Sequence, residues 1–213
     1  MNKPIFRLIL NITIINSRTV EPMEFADLTK TFDPQTLTSF VVAAFVVEVI
    51  MLAIFRLTKS ELAGKDINEW YDVYGLDAIL LDTLIVIIGF VVVSMLYPII
   101  FSEWNIIYFL ILMLVVQIIH DYLFWRYVIV PIPQGHNRVI DTLKVYADNV
   151  KGGAIIGDSI MYVLGVPIAS LLLGSDISVT KLLTIGIFTL YPIMYLLYTK
   201  PVKYHMNEVD QQQ

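Results

Sequence analysis

Five apolar stretches, at residues 37–57, 78–101, 106–130, 154–173 and 182–198, constrain this chain more than any other feature. Crossing roughly 30 Å of hydrocarbon takes about 20 predominantly apolar residues in a helix. Each stretch is close to that length. A backbone in hydrocarbon must satisfy its own polar groups, and a helix does so within one segment. The prediction is an all-α polytopic membrane protein, a bundle of five transmembrane helices spanning 36–200. An interfacial segment over 1–35 precedes it and a polar tail over 201–213 follows. Composition agrees with this reading. The chain is 57% apolar and 15% charged, where soluble domains average about 45–50% and about 25%, and mean hydropathy is +0.74. Five spans take up about half of the 213 residues, which leaves no room among them for a separate soluble domain.

The chain has no cysteine, so disulfide frameworks, cysteine–zinc sites and thiol catalysis are excluded. The net charge of −5 is spread along the sequence, with no basic run of the kind that binds nucleic acid. The expected partners are the lipid bilayer and other membrane proteins or further copies of the chain. Nucleic acid is not expected, and neither is a cofactor. Near the N-terminus, Ile5, Leu8, Ile9 and Ile12 share one helical face, with Lys3, Arg7 and Asn11 elsewhere. No small-x-small cleavage site follows them. An interfacial segment lying on the bilayer is expected there rather than a signal peptide. A short strand over the β-branched residues 12–15 is the competing local reading.

Basic residues flank the spans unevenly. Arg56, Lys59 and Lys65 follow span 1. Arg138, Lys144 and Lys151 follow span 3, with Arg126 just inside it, and the tail holds Lys200 and Lys203. On the other side only Lys181 lies in a turn. Positive-inside counting puts the C-terminus in the cytosol and the N-terminus outside. The four basic residues of the N-terminal segment oppose this orientation, and the sequon Asn11-Ile12-Thr13 favours it.

Local signals punctuate the spans. Asp33 before Pro34 reads as a helix cap with proline at the first helical position. Trp70, Tyr71 and Tyr74 favour the headgroup layer. The turn Ser102-Glu103-Trp104-Asn105 is short enough to make spans 2 and 3 antiparallel neighbours. Pro131-Ile132-Pro133-Gln134-Gly135 ends span 3. Residues 137–150 then show a 3–4 spacing of Val139, Ile140, Leu143, Tyr146, Ala147 and Val150, an amphipathic helix along the membrane surface. In span 4, Gly153, Gly157, Gly165 and Ala169 follow a small-x3-small pattern that lets another helix approach closely.

Polar residues inside the spans are the candidate site. At about 1.5 Å per residue, Asp82 lies roughly 8 Å from the nearer face, Asp158 roughly 9 Å and Arg126 roughly 7 Å, while His120, Asp121 and Glu48 lie roughly 14–16 Å deep. All six fall in the same half of the bilayer. Gln117, His120 and Asp121 form an i, i+3, i+4 patch on span 3, which Phe124 continues. Charges in hydrocarbon are costly and mark function or tight pairing. Four carboxylates against one arginine and one histidine cannot all be charged cheaply, and Arg126 is expected to pair with Asp82 or Asp158. Such groups either hold helices together or handle protons or cations. The spacing does not define a metal site, and His136 and His205 lie outside the spans.

Two resemblances follow from short motifs. Trp70-Tyr71-Asp72-Val73 and Ile156-Gly157-Asp158-Ser159 are similar to the Tyr-Asp and Gly-x-Gly-Asp segments of intramembrane aspartyl proteases. That resemblance implies Asp72 and Asp158 as a catalytic dyad sharing a proton. The chain departs from the pattern in three ways: Ile156 displaces the first glycine, Asp72 precedes span 2, and Pro-Ala-Leu is absent. A broader run resembles uncharacterised multi-pass membrane proteins encoded by large DNA viruses. It comprises His120-Asp121-Tyr122-Leu123-Phe124, Pro133-Gln134-Gly135-His136-Asn137, Ile140-Asp141, Tyr146-Ala147 and 153–159. This resemblance implies a virion inner membrane or an infected-cell membrane, and no activity. Three functions stay open at this point: a structural or assembly protein, a proton- or cation-handling protein, and an aspartyl membrane protease.

Overall fold

The first helix begins where its cap places it. Asp33 is extended, its carboxylate accepts the Thr36 N–H at 3.0 Å, and Pro34 follows, where a missing N–H costs nothing. The computed structural model describes residues 25–59, 64–150 and 153–201. Among them are α1 (Pro34–Leu57), α2 (Lys65–Tyr74), α3 (Leu76–Ile100), α4 (Ile106–Phe124), α5 (Arg138–Val150), α6 (Gly153–Gly174) and α7 (Val179–Leu197), with no strand. The expected all-α bundle is present, and five helices are long and apolar enough to cross a membrane: α1, α3, α4 with its continuation, α6 and α7. The leading part of the N-terminal segment with its sequon, and the tail beyond residue 201, lie outside the described residues.

Three boundaries differ from expectation for local reasons. Helix α3 starts at Leu76, two residues early, because Gly75 alone separates it from α2. Its φ of +54° makes a sharp break that a side chain would strain. The α-helical part of span 3 ends at Phe124, and Trp125–Ile129 continue as a π-helical turn before the prolines stop the chain. Helix α7 starts at Val179, three residues early, after Ser178.

Helix α1 is the axis of the bundle and packs most extensively on α7 and α6, then on α3. Of its most apolar 18 residues 56% are buried, against 11% for α7, which therefore sits at the edge. The buried ridge of α1 runs every fourth residue through Phe40, Ala44, Glu48, Leu52 and Arg56, all at 0% exposure. Lipid is as apolar as leucine, so dispersion contacts and interhelical hydrogen bonds must hold such helices together. Phe40 stacks on Phe90 of α3 with centroids 4.8 Å apart. Gly165 of α6 lets that ring in, since a Cβ there would lie 3.3 Å from Phe90 Cζ and 3.7 Å from Val47. The outward faces, such as Ile88, Ile99, Ile111, Ile187 and Phe188, are apolar and exposed, the pattern expected of surfaces that meet lipid.

The two ends of the bundle are closed differently. At one end, residues 25–33 cross the mouths of the helices rather than only lying on the surface. Leu28 is fully buried, and its carbonyl accepts from the Ser94 hydroxyl. Thr31 Oγ1 donates to Ser94 at 2.9 Å, and Ser170 donates to the Ala26 carbonyl at 2.7 Å. An irregular backbone at this depth is tolerable because protein hydroxyls satisfy its carbonyls. At the other end, α2 and the amphipathic α5 lie against each other. Tyr74 donates to the Arg138 carbonyl at 2.9 Å, and Asn149 donates to Asp66 at 2.7 Å.

Candidate functional site

The intramembrane polar residues resolve into two hydrogen-bonded groups rather than one cluster. The first is built by α2, which lies across the ends of α1 and α3. In α2 the 3–4 spacing of Ile67, Trp70, Tyr71 and Tyr74 gives one inward face. From that face the buried Tyr71 hydroxyl reaches Glu48 Oε1 at 2.9 Å and Asp82 Oδ2 at 3.0 Å. Trp70 Nε1 donates to the same Asp82 oxygen at 3.2 Å. Glu48 Oε2 is buried with no partner among the described residues. The Tyr71 phenol lies outside the spans and is pushed well above its ordinary range, by burial first and then by Asp82 and Glu48. It therefore stays protonated at physiological pH.

Two helical turns along the same α1 ridge, Arg56 anchors a second part of this group. Arg56 is fully buried, and its guanidinium contacts Asp72 at 2.6 Å, Asn68 Oδ1 at 2.9 Å and the Leu197 carbonyl at 3.3 Å. Leu197 ends α7, where the unpaired carbonyls carry the negative end of the helix dipole and favour a cation. Sequence reasoning assigned Arg56 to the loop after span 1; the structure places it in the last turns of α1, inside the bundle. Its eight-residue spacing from Glu48, two turns along one helical face, was the available signal. Beside this pair opens a groove of about 610 Å³, whose walls include Tyr71, Asp72, Asp77 and Lys200.

The second group joins α4 to α6. Gln117 Nε2 donates to Asp121 Oδ2 at 2.6 Å, and Ser159 Oγ of α6 donates to Gln117 Oε1 at 3.0 Å. His120 Nδ1 lies 3.1 Å from Asp121 Oδ1, and its ring stacks on Phe124. The i, i+3, i+4 patch is thus real, and Ser159 is the member that single-helix reasoning missed.

Other expected residues fall elsewhere. Arg126 is exposed on the π-helical turn, beside the Tyr127 ring at 6.0 Å, and makes no ion pair with Asp82 or Asp158. The widened turn rotates it off the inward face. Asp158 is exposed on α6 and has no hydrogen-bond partner among the described residues. Asp72 belongs to Arg56, and no contact among the described residues joins it to Asp158 as a dyad. Gly165 and the fully buried Ala169 form the close-packing stripe, while a Cβ at Gly157 would meet nothing within 4 Å and one at Gly153 would meet only Val150 of the preceding turn. Tyr146 of α5 lies near Asp82 of the first group and near Asp158. Burial and then the charges of Asp158, Asp82 and Asp66 push its phenol up to about 12. Among the described residues no three His, Asp or Glu side chains are arranged to hold a metal ion.

Five apolar helices with α1 at their axis, and polar groups buried between them, define a multi-pass integral membrane protein in contact with the lipid bilayer. No family model, curated protein or solved structure matches the chain.

Proposed function

We propose that this is a structural or assembly protein of a membrane, in which the buried polar groups fix the order and register of the helices. The observation that carries the reading is Arg56, whose guanidinium ties α1 to α2 and to the end of α7 from a fully buried position. Its bonds link elements far apart in the chain. Removing any one leaves a buried charge or carbonyl without a partner, which penalises alternative helix arrangements. The Ser159–Gln117–Asp121 bonds do the same for α4 and α6. The resemblance of residues 120–159 to membrane proteins of large DNA viruses supports a place in a virion inner membrane or an infected-cell membrane, alongside other membrane proteins or copies of itself. The test is proton flux in liposomes holding the purified full chain, wild type against Asp121→Asn/Asp158→Asn. Neither protein should conduct, and the variant should unfold more easily. Flux through the wild type that vanishes in the variant would make this a proton pathway and overturn the proposal.

A further inference from the structure

We propose that Glu48, Tyr71 and Asp82 form a binding site for one proton, which the Glu48 carboxyl holds and which locks α2 across the ends of α1 and α3. The inference starts from a count of hydrogens. The Tyr71 oxygen stands 2.9 Å from one carboxyl and 3.0 Å from the other. A phenol has one hydrogen, so it can donate to one of them only. The other contact is a hydrogen bond only if that carboxyl brings a hydrogen of its own.

Trp70 and the partners of the two carboxyls favour Glu48. An indole N–H can only donate, and it points at Asp82 Oδ2 at 3.2 Å, the oxygen that also faces Tyr71. An ionised carboxylate accepts two donors at one oxygen best, so Asp82 Oδ2 takes both Trp70 and Tyr71, and Glu48 Oε1 carries the proton and donates to the Tyr71 oxygen. The buried Glu48 Oε2 has no partner. A bare oxygen of this kind is tolerable as the carbonyl of a neutral acid and far more costly as half of a carboxylate. The high proton affinity of the Tyr71 phenol keeps its own hydrogen in place as the middle link.

Neither ion pair among the described residues involves Glu48 or Asp82. The charged and titratable groups around it are Asp66 and Asp72 on α2, Arg56 on α1, Tyr146 on α5, Asp158 on α6, and Lys200 in the wall of the adjoining groove. Arg56 is committed to Asp72, the other described ion pair is His120 with Asp121, and Tyr146 responds to the charges of Asp82 and Asp158. Two carboxyls without a cation hold a proton between them. The proton acts as a ligand of the folded form. The lock is complete while the carboxyl holds the proton and is lost when alkali removes it.

The test needs no substitution. Infrared spectra of the full chain in lipid are recorded at neutral pH with carbon-13 carboxyl labels on all glutamates, or separately on all aspartates. A protonated-acid carbonyl band that shifts with glutamate labelling and disappears in Glu48→Gln is the expected result. Glu48→Gln keeps a donor toward Tyr71, should fold, and should lose the wild type's drop in stability at alkaline pH. No glutamate-sensitive acid band would overturn the proposal. So would a band that Glu48→Gln leaves unchanged, or one that sodium or potassium ions abolish at constant pH, which would make the site a cation site.

Discussion

Removing Asp72 should harm this protein more than its exposed position implies. The Asp72 side chain is 57% exposed, whereas its partner Arg56 is at 0%. In Asp72→Ala the guanidinium stays buried and loses its one counter-charge among the described residues. Stranding one member of a buried pair costs about 3–5 kcal/mol. Arg56 keeps Asn68 and the Leu197 carbonyl as neutral acceptors, so the low end, about 3 kcal/mol, is expected. Arg56→Met leaves the opposite debris. Asp72 simply hydrates, while the Asn68 and Leu197 oxygens lose a donor, for about 1–3 kcal/mol each. In the double variant the stranded charge is gone, so its cost should match that of Arg56→Met alone. The two single losses should therefore exceed the double loss by about 3 kcal/mol. The assay is reversible unfolding of the full chain in mixed micelles by a denaturing detergent, followed by tryptophan fluorescence. Losses that add to within about 0.5 kcal/mol would refute the coupling, and with it the role of Arg56 as the clasp of α1, α2 and α7.

Further outcomes follow from other contacts. Gly165→Leu should destabilise by overpacking against Phe90, by about 1–3 kcal/mol or more. Gly157→Ala meets open space and should be neutral or stabilise by up to about 1 kcal/mol. Both can be read in the same unfolding assay. A double-mutant cycle of Gln117→Leu with Ser159→Ala should give a coupling near 0.6 and not above about 1.7 kcal/mol, the range for hydrogen bonds between membrane helices; a coupling of zero would remove this bond from the packing scheme. Tyr146, pushed up to about 12, should titrate later than ordinary phenols, as an absorbance difference between wild type and Tyr146→Phe would record. Its folded form binds the proton more tightly, so this contribution to stability is complete below about pH 10 and is lost as pH rises toward 12. A Tyr146 signal already complete near pH 10 would refute its burial beside Asp158, Asp82 and Asp66.

The legibility of this protein in its sequence depended on how local each cause was. Asp33 and Pro34 specify a helix start by themselves, because cap and acceptor lie within three residues. The Gln117–His120–Asp121 patch was readable because one helical turn brings those side chains together. Arg126 was misread because a π-helical turn, which no spacing rule signals, changes the facing of residues beyond Phe124. Arg56 was misread for a different reason. A basic residue at the end of an apolar stretch reads as part of the following loop, and only the placement of α2 over the helix ends encloses it.

What the sequence determined by itself is the class of structure. Runs of apolar residues long enough to span hydrocarbon must become helices there, since no other single segment satisfies its own backbone. Tertiary structure alone decided which polar residues meet. Glu48, Tyr71 and Asp82 come from three helices, as do Arg56, Asn68 and Leu197. Their partnership depends on the order in which helices pack around α1. Packing order is a property of shape and hydrogen bonding between surfaces, and hydropathy along one strand of chain carries almost no record of it.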